Sequence, residues 1–339
     1  MPHPYPIREI ARQAGVSDAT VDRVLHGRPG VRPGTVQQVQ QAIADLERQH
    51  TQLRLSGRRF MLDLVMETPR RFSTLTRDAL EAELPALRPA VIRARYHLRE
   101  RWPLPELIAE LDAVARKGSH GVLLKAPDVP EVAAAIGRLT ARRIPVVTMV
   151  TDVPASTRVA YVGMDNRAAG GTAAYLVSRL LRRVDGAVLV VTSGDLFRGE
   201  EEREMGFRSA LRRYDPERRI VVVANSDGLD ATCRRLVREA LEADGDVVAV
   251  YSIGGGNRGI VAAFDDAGRS CEAFVAHDLA ESNRQLLSEE RITAVLHHDL
   301  RSDMRQVAHA VMSYHGALPG ESRPVPSTIQ VITPHNVPS

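Results

Sequence analysis

From Phe60 onward, short apolar runs of strand length alternate with longer stretches of helical spacing, and few folds accommodate that order. Strands are expected at Met61–Met66, Val91–Tyr96, Gly121–Leu124, Pro145–Val150, Val159–Val162, Ala187–Val191, Ile220–Val223, Val247–Ile253, Ala273–Ala276 and Ala294–Leu296. Helices are expected at Pro105–Arg116, Pro130–Arg142, Ala168–Leu181, Glu200–Arg213 and Ala231–Glu242. Strand and helix in turn mean parallel sheets covered by helices on both faces. The strands are too many for one compact sheet and the order breaks near Asn166, so two similar α/β lobes are expected. With 339 residues, 44% apolar and 26% charged, the chain has ordinary soluble globular composition and length for two or three domains.

The first sixty residues read differently. Apolar residues fall at Ile7, Ile10, Ala11 and Ala14, then at Val21, Val24 and Leu25, a helical spacing interrupted at Gly15. Gly15 suits the left-handed end of a first helix, and Ser17 suits the N-cap of a second. Two short helices with a tight turn form a helix-turn-helix, whose second helix can enter the DNA major groove. Arg28-Pro29-Gly30 makes a turn, and Pro33 opens a third helix to about Arg48, with Val36, Val39, Ile43 and Leu46 on one face. Residues 49 to 59, QHTQLRLSGRR, have weak periodicity and a basic end, which reads as a linker.

Charge supports that division. Residues 1 to 60 hold nine Arg against five Asp or Glu, a balance of +4, while the remainder holds 36 basic and 37 acidic residues, a balance of −1. The positive charge sits on the small helical unit, where a phosphate backbone would be met. Only Lys117 and Lys125 among 45 basic residues are lysine, a bias so uniform that it reads as genomic composition. Cys233 and Cys271 offer no metal-ligand spacing and fit a reducing compartment. No apolar run approaches the ~20 residues of a membrane span, and MPHPYPIRE lacks the apolar core of a secretion signal. A cytoplasmic protein without metal or cofactor is expected.

The stretch AGVSDATVDRVLHGRPGVRPGT resembles the DNA-binding motif of the LacI/GalR family of bacterial transcription regulators. From about residue 60 the chain resembles the periplasmic-sugar-binding-protein fold with which that family senses small molecules. The resemblance implies an all-α head at 1–48, a hinge at 49–59 and a two-lobed α/β sensor at 60–339. Three crossings between lobes would place 60–165 and 299–322 in the first, 166–298 and 323–339 in the second. It also implies a hinge helix that wedges a leucine into the minor groove. Here Gly57 falls where that leucine is expected, and Arg48, His50 and Thr51 replace the residues usual before it. A shifted register would give the role to Leu55.

In the head, Asp18 and Ala19 at the start of the second helix, with Arg23 one turn on, are placed to meet base edges. Arg23 can bond both acceptors of a guanine, whereas Asp18 can only accept, as from cytosine N4. Ser17, Thr20 and Thr35 are placed for phosphates and set register. Asp22 would repel a phosphate unless it pairs with an arginine. Because one recognition helix covers only a few base pairs, a homodimer on a palindromic operator is expected, most simply as a repressor.

Ligands of parallel sheets bind at the carboxyl ends of strands. Those positions offer Thr68, Arg70, Arg71 and Phe72, then Thr151 and Asp152, then Asn257, His277 with Asp278, and His298 with Asp299. The resemblance adds that EEREMGF carries the arginine that grips the effector, Arg203. It adds that the Asp278 position accepts paired sugar hydroxyls, and that the His298 position is usually glutamine. Asp152 is expected opposite Asp278 across the cleft. The effector is expected to be a sugar, polyol, sugar acid or phosphosugar.

Two other classes remain in view. Gly254, Gly256 and Gly259 form a GxGxxG with Asp278 some twenty residues later, as in dinucleotide-dependent enzymes, but that fingerprint belongs at the first strand-to-helix turn and here closes a late one. His297 and His298 are adjacent strand residues pointing to opposite faces, so they cannot easily share a metal. A pure solute-binding protein would not carry the basic head. A non-enzymatic regulator is therefore expected.

Overall fold

The computed structural model describes residues 3–182, 185–194, 196–318 and 324–338. Helices α1 (Ile7–Ala14), α2 (Asp18–Leu25) and α3 (Pro33–Leu55) form the head. Gly15 ends α1 in the left-handed conformation (φ 65°), which an L side chain would resist. The head closes over Ile10, Ala11, Val21, Val39, Ala42 and Leu46, so one face of α3 covers the apolar sides of α1 and α2.

The linker expected at 49–59 is largely helix. Residues 49 to 55 contain neither Gly nor Pro, so α3 runs on to Leu55, and Gly57 stops the chain at φ 76°. Leu55 is 6% exposed and packs with Phe60 and Leu62 in the core of the first lobe, while Leu53 is 73% exposed. In this conformation Leu55 is a sensor-core residue and not a DNA-facing one, which corrects the shifted-register expectation. Leucine at Gly57 would be strained by the backbone, although space is open there.

The next elements are β1 (Arg59–Glu67), α4 (Arg70–Glu83), β2 (Val91–Arg99), α5 (Leu104–Lys117), β3 (Gly121–Lys125), α6 (Pro130–Ala141), β4 (Val146–Met149) and β5 (Ala160–Val162). They make a parallel sheet in the order β2-β1-β3-β4-β5. The chain then supplies α7 (Asn166–Leu180), β6 (Ala187–Val191), α8 (Arg198–Tyr214), β7 (Arg219–Val223), α9 (Asp230–Ala243), β8 (Val247–Ser252), α10 (Asn257–Asp266), β9 (Ala273–His277), α11 (Glu281–Ser288) and β10 (Ala294–His297). It returns through α12 (Leu300–Tyr314), which packs on α4 and puts Leu300, Met304 and Val307 into the first lobe's core. It ends in β11 (Gln330–Ile332), antiparallel to β10, giving the second sheet the order β11-β10-β9-β8-β6-β7.

Each sheet is buried on both faces because successive strand residues alternate between them. Leu62, Leu64 and Met66 of β1 enter one core and Val65 the other; Ala187, Leu189 and Val191 of β6 oppose Val188 and Val190. The helices α4, α10, α11 and α12 and the strand β11 carry weaker sequence patterns and were not among the expected elements. No described helix is long and apolar enough to cross a membrane.

Candidate ligand cavity and DNA-facing helix

The carboxyl ends of both sheets open onto one cavity of about 580 Å³, within the size range of small-molecule sites. The first lobe contributes Glu67, Thr68, Phe72, Trp102, Lys125 and Thr151; the second contributes Ser193, Glu200, Arg203, His277, Asp278 and Asn283.

Arg203 is the most firmly seated of these. It is 4% exposed, its Nε donates to Asn166 Oδ1 at 2.8 Å, and its Nη2 is buried without a protein partner. Helices α7 and α8 approach so closely that a Cβ on Gly170 would strike the Arg203 carbonyl, and one on Gly206 would strike that of Arg167. Those two glycines let the backbones meet and so set the depth of the guanidinium.

His277 shares a 2.9 Å hydrogen bond between Nε2 and the Tyr251 hydroxyl, leaving Nδ1 unpartnered. Burial, helped by the nearby Arg203 charge, holds its pKa well below the usual histidine range, so the ring is neutral. Asp278 sits at φ 65°, a region non-glycine residues rarely occupy, and its carbonyl accepts from Asn283 Nδ2 at 2.7 Å. Its Oδ1 is buried without a hydrogen bond. Backbone strain of this kind at a strand end marks a carboxylate aimed by its surroundings.

Among the residues expected from sequence, Phe72, Thr151, Arg203, His277 and Asp278 line this cavity, as do Thr68 and Arg71. Four stand elsewhere. Arg70 is exposed, its backbone N–H donating to Glu100 at 2.9 Å. Asp152 turns back into the first lobe, gripped through both carboxylate oxygens by Arg158 and bonded to Thr148 at 2.6 Å; it does not face Asp278, because neighbouring loop residues point opposite ways. Asn257 lies one layer behind, donating to Asn283 Oδ1 at 2.8 Å and so orienting the amide that holds Asp278. His298, 1% exposed, is bound to Asp303 at 2.5 Å, with Nε2 3.9 Å from Asp278. It backs the cavity rather than lining it.

Sequence reasoning missed Glu67, Trp102, Lys125 and Asn283. Lys125 is the last residue of β3, one beyond the expected strand, and the rarity of lysine in this chain was the signal that could have singled it out.

The glycines of the GxGxxG have packing reasons. A Cβ on Gly254 would strike Ser193 N, one on Gly256 the Cys233 sulfur, and one on Gly259 the Asp230 carbonyl. Close contact of β8 and α10 with their neighbours explains all three without a phosphate. Among the described residues no group of three His, Cys, Asp or Glu side chains gathers as a metal site.

Contacts across the cavity mouth tie the lobes together. Arg71 Nη1 donates to the Gly228 carbonyl at 2.8 Å, Arg101 pairs with Asp227, and Asp128 N donates to Leu196 O at 2.8 Å. Deeper in, Gly199 N donates to Thr151 Oγ1 at 2.9 Å.

In the head, Ser17 caps α2, its Oγ accepting from Thr20 N at 3.2 Å and lying 2.9 Å from the Thr20 hydroxyl. Asp18, Ala19 and Arg23 are exposed along α2, and Thr35 is half-buried at the start of α3. Asp22 pairs with Arg28 at 2.8 Å and His26 at 3.0 Å, which neutralises the anion beside the recognition face.

Residues 6–47 match the family model of bacterial regulatory proteins of the lacI family, and residues 72–317 match that of the periplasmic binding protein domain. No curated protein sequence matches the chain significantly. Solved structures share the fold. A glucose-galactose binding protein from Geobacillus stearothermophilus aligns with TM-score 0.72 at 21% identity, over 83% of this chain and 99% of its own. A putative LacI transcriptional regulator from Bacteroides fragilis gives 0.73 at 17%, over 82% and 98%. A solute-binding protein from Actinobacillus succinogenes with bound D-allose gives 0.69 at 14%, over 81% and 98%. With its helix-turn-helix head and a periplasmic binding protein domain over most of its length, the chain belongs to the lacI family of bacterial DNA-binding regulators.

Proposed function

We propose that the protein is a cytoplasmic, homodimeric repressor whose grip on a palindromic operator is set by a sugar-like effector in the cavity. One observation carries the effector assignment. Of the seven buried side-chain polar atoms without protein partners among the described residues, five, on Glu67, Trp102, Arg203, His277 and Asp278, belong to residues lining this one cavity, and the other two, on Asn257 and His298, lie one layer behind it. Buried polar atoms are otherwise almost always paired, so their convergence points to a ligand that pairs them. Arg203 donates, Asp278 accepts, and Phe72, Phe197 and Trp102 supply faces for the apolar side of a pyranose or furanose ring. The sugar ligands named for relatives of the same fold support this reading.

The route from cavity to DNA follows from α3. The helix begins in the head and ends with Leu55 in the first lobe's core, so a change in how two sensors pair is carried to both heads by a helix and not by a slack linker. The effect on operator affinity is limited by the effector's preference for one arrangement over the other. On the operator, Arg23 is assigned base reading, with Asp18 and Ala19 beside it, and Ser17, Thr20 and Thr35 are assigned to phosphates.

Calorimetry with a sugar panel, run beside a salt-matched operator titration, tests this. A ligand polar group left desolvated and unpaired when its buried protein partner is removed costs about 1–3 kcal/mol. Asp278→Ala and Arg203→Ala should therefore lose effector affinity by tenfold or more, on the scale of ~1.4 kcal/mol per decade, while operator affinity without effector holds. Unchanged effector affinity in both variants sinks the cavity assignment.

A further inference from the structure

Lys125 is the group in this cavity that a neutral sugar leaves unexplained. It closes β3, is 9% exposed, and donates from Nζ to the main-chain oxygen of Glu67 at 2.8 Å. The ammonium also lies 4.1 Å from the centre of the Phe197 ring. Among the described residues no carboxylate stands within 4.0 Å of it. An ammonium has three donors, so one carbonyl and one ring face leave its hydrogen bonding and its charge incompletely answered.

The surrounding anions are engaged or held back. Glu200 accepts from Ser193 N at 2.7 Å and from the Ser193 hydroxyl at 2.5 Å. Burial raises the pKa of the Glu67 carboxyl, which favours its neutral form. Arg101 has taken Asp227 at the rim. Arg203, with Nη2 free, adds a second cation lining the same space. In Lys125 itself burial outweighs the attraction of Glu200, Glu67 and Asp278, and with Arg203 opposing its charge the pKa falls to about 8. A chain that uses arginine for all but two of its 45 basic residues has a lysine here, a compact three-donor point charge against the Phe197 ring.

We propose that the cavity selects a ligand carrying an anionic group, a carboxylate or a phosphate on a sugar-like body, and that Lys125 with Arg203 Nη2 receives that group. The assignment rests on the reading of this cavity as the effector site. A buried cation without a close anion is unfavourable, and a ligand anion that removes this deficit gains charge-assisted hydrogen bonds at the same time. Asp278 and the neutral His277 remain for the hydroxyls, which divides the site into an anion end and a polyol end.

Calorimetry on the full chain with a series of aldoses, each beside its aldonate and its 6-phosphate, tests this at pH 7. At least one acidic member should bind ten times more tightly than its neutral parent, and the aldonate and phosphate arms separate the two sources of charge. Lys125→Met, nearly isosteric, should erase that preference, bringing the ratio of acid to parent affinity from about tenfold to about one. A neutral aldose binding as tightly as its acids, or a preference that survives Lys125→Met, overturns the anion assignment and leaves the sugar site standing. Binding by no member to the folded protein overturns the effector-site reading itself. If Lys125→Met does not fold, Lys125→Gln, which keeps a donor for the Glu67 main-chain oxygen but carries no charge, decides. A preference for the acid that survives Lys125→Gln overturns the proposal.

Discussion

The head and the cavity use side chains in opposite ways. In the head, the recognition face is outside: Asp18, Ala19 and Arg23 are exposed, and the small core of Ile10, Val21, Val39 and Leu46 lies entirely behind them. In the cavity, Arg203, His277 and Lys125 are themselves buried and are held by the same contacts that hold the fold. A change at the recognition face should therefore separate function from stability, and a change at the cavity wall should not.

The largest effect should come from the glycine that seats Arg203. In Gly170→Ala the new methyl meets the Arg203 carbonyl and lies 2.7 Å from Phe207 N, both of them backbone, so α7 and α8 must move apart. Overpacking in a well-packed region costs about 1–3 kcal/mol, and clashes with backbone belong at the upper end. Urea unfolding followed through Trp102, the one tryptophan, should show a loss of about 3 kcal/mol together with weakened effector binding. An unshifted midpoint would mean that the two helices are not held at this spacing.

Much of the head was legible in the sequence because local chemistry determines it. Gly15, Ser17 and the spacing of Ile7, Ile10, Ala11 and Ala14 act within one or two turns. Strand positions were legible for the same reason. Membership of the cavity was not, since it depends on which way a side chain turns after the strand has ended. Thr151 and Asp152 are neighbours, yet one faces the ligand space and the other is locked by Arg158 into its own lobe. His298 and Asn257 were placed at the right strand and helix ends but one layer too shallow. The end of α3 is not legible, because residues 49 to 55 have weak amphipathic patterning although nothing in them breaks a helix.

A smaller effect, confined to the sensor, should follow from pH. Burial lowers the pKa of His277 well below its ordinary value and that of His297 to about 4. The unfolded chain then binds more protons than the folded one below about pH 6.5, so stability falls as pH falls through that point. From pH 6.5 to 5 each such histidine costs up to about 2 kcal/mol, at ~1.36 kcal/mol per unit. His120 and His309 shift the same way, whereas His97, raised by its hydrogen bond to Asp63, works against the trend. A net fall in the urea midpoint between pH 6.5 and 5 is expected. His277→Gln should flatten part of that slope, and an identical slope in the variant would show that His277 does not titrate as a buried neutral ring.

The smallest effects on stability should lie in the head, where two residues of one face divide the roles. Arg23→Ala removes an exposed side chain, so the urea midpoint should hold, while operator affinity falls by about 1–3 kcal/mol with relaxed preference at one position per half-site. Ser17→Ala removes the cap of α2, which costs about 1 kcal/mol of helix stability. It also removes a phosphate donor without touching base reading, so operator affinity should drop to a similar degree on every sequence and the salt dependence should change little, because a hydroxyl releases no counterion. Altered sequence preference in Ser17→Ala, or a shifted midpoint in Arg23→Ala, would break the separation of recognition from stability on this face. The first result would place Ser17 against the bases, and the second would place Arg23 in the fold of the head.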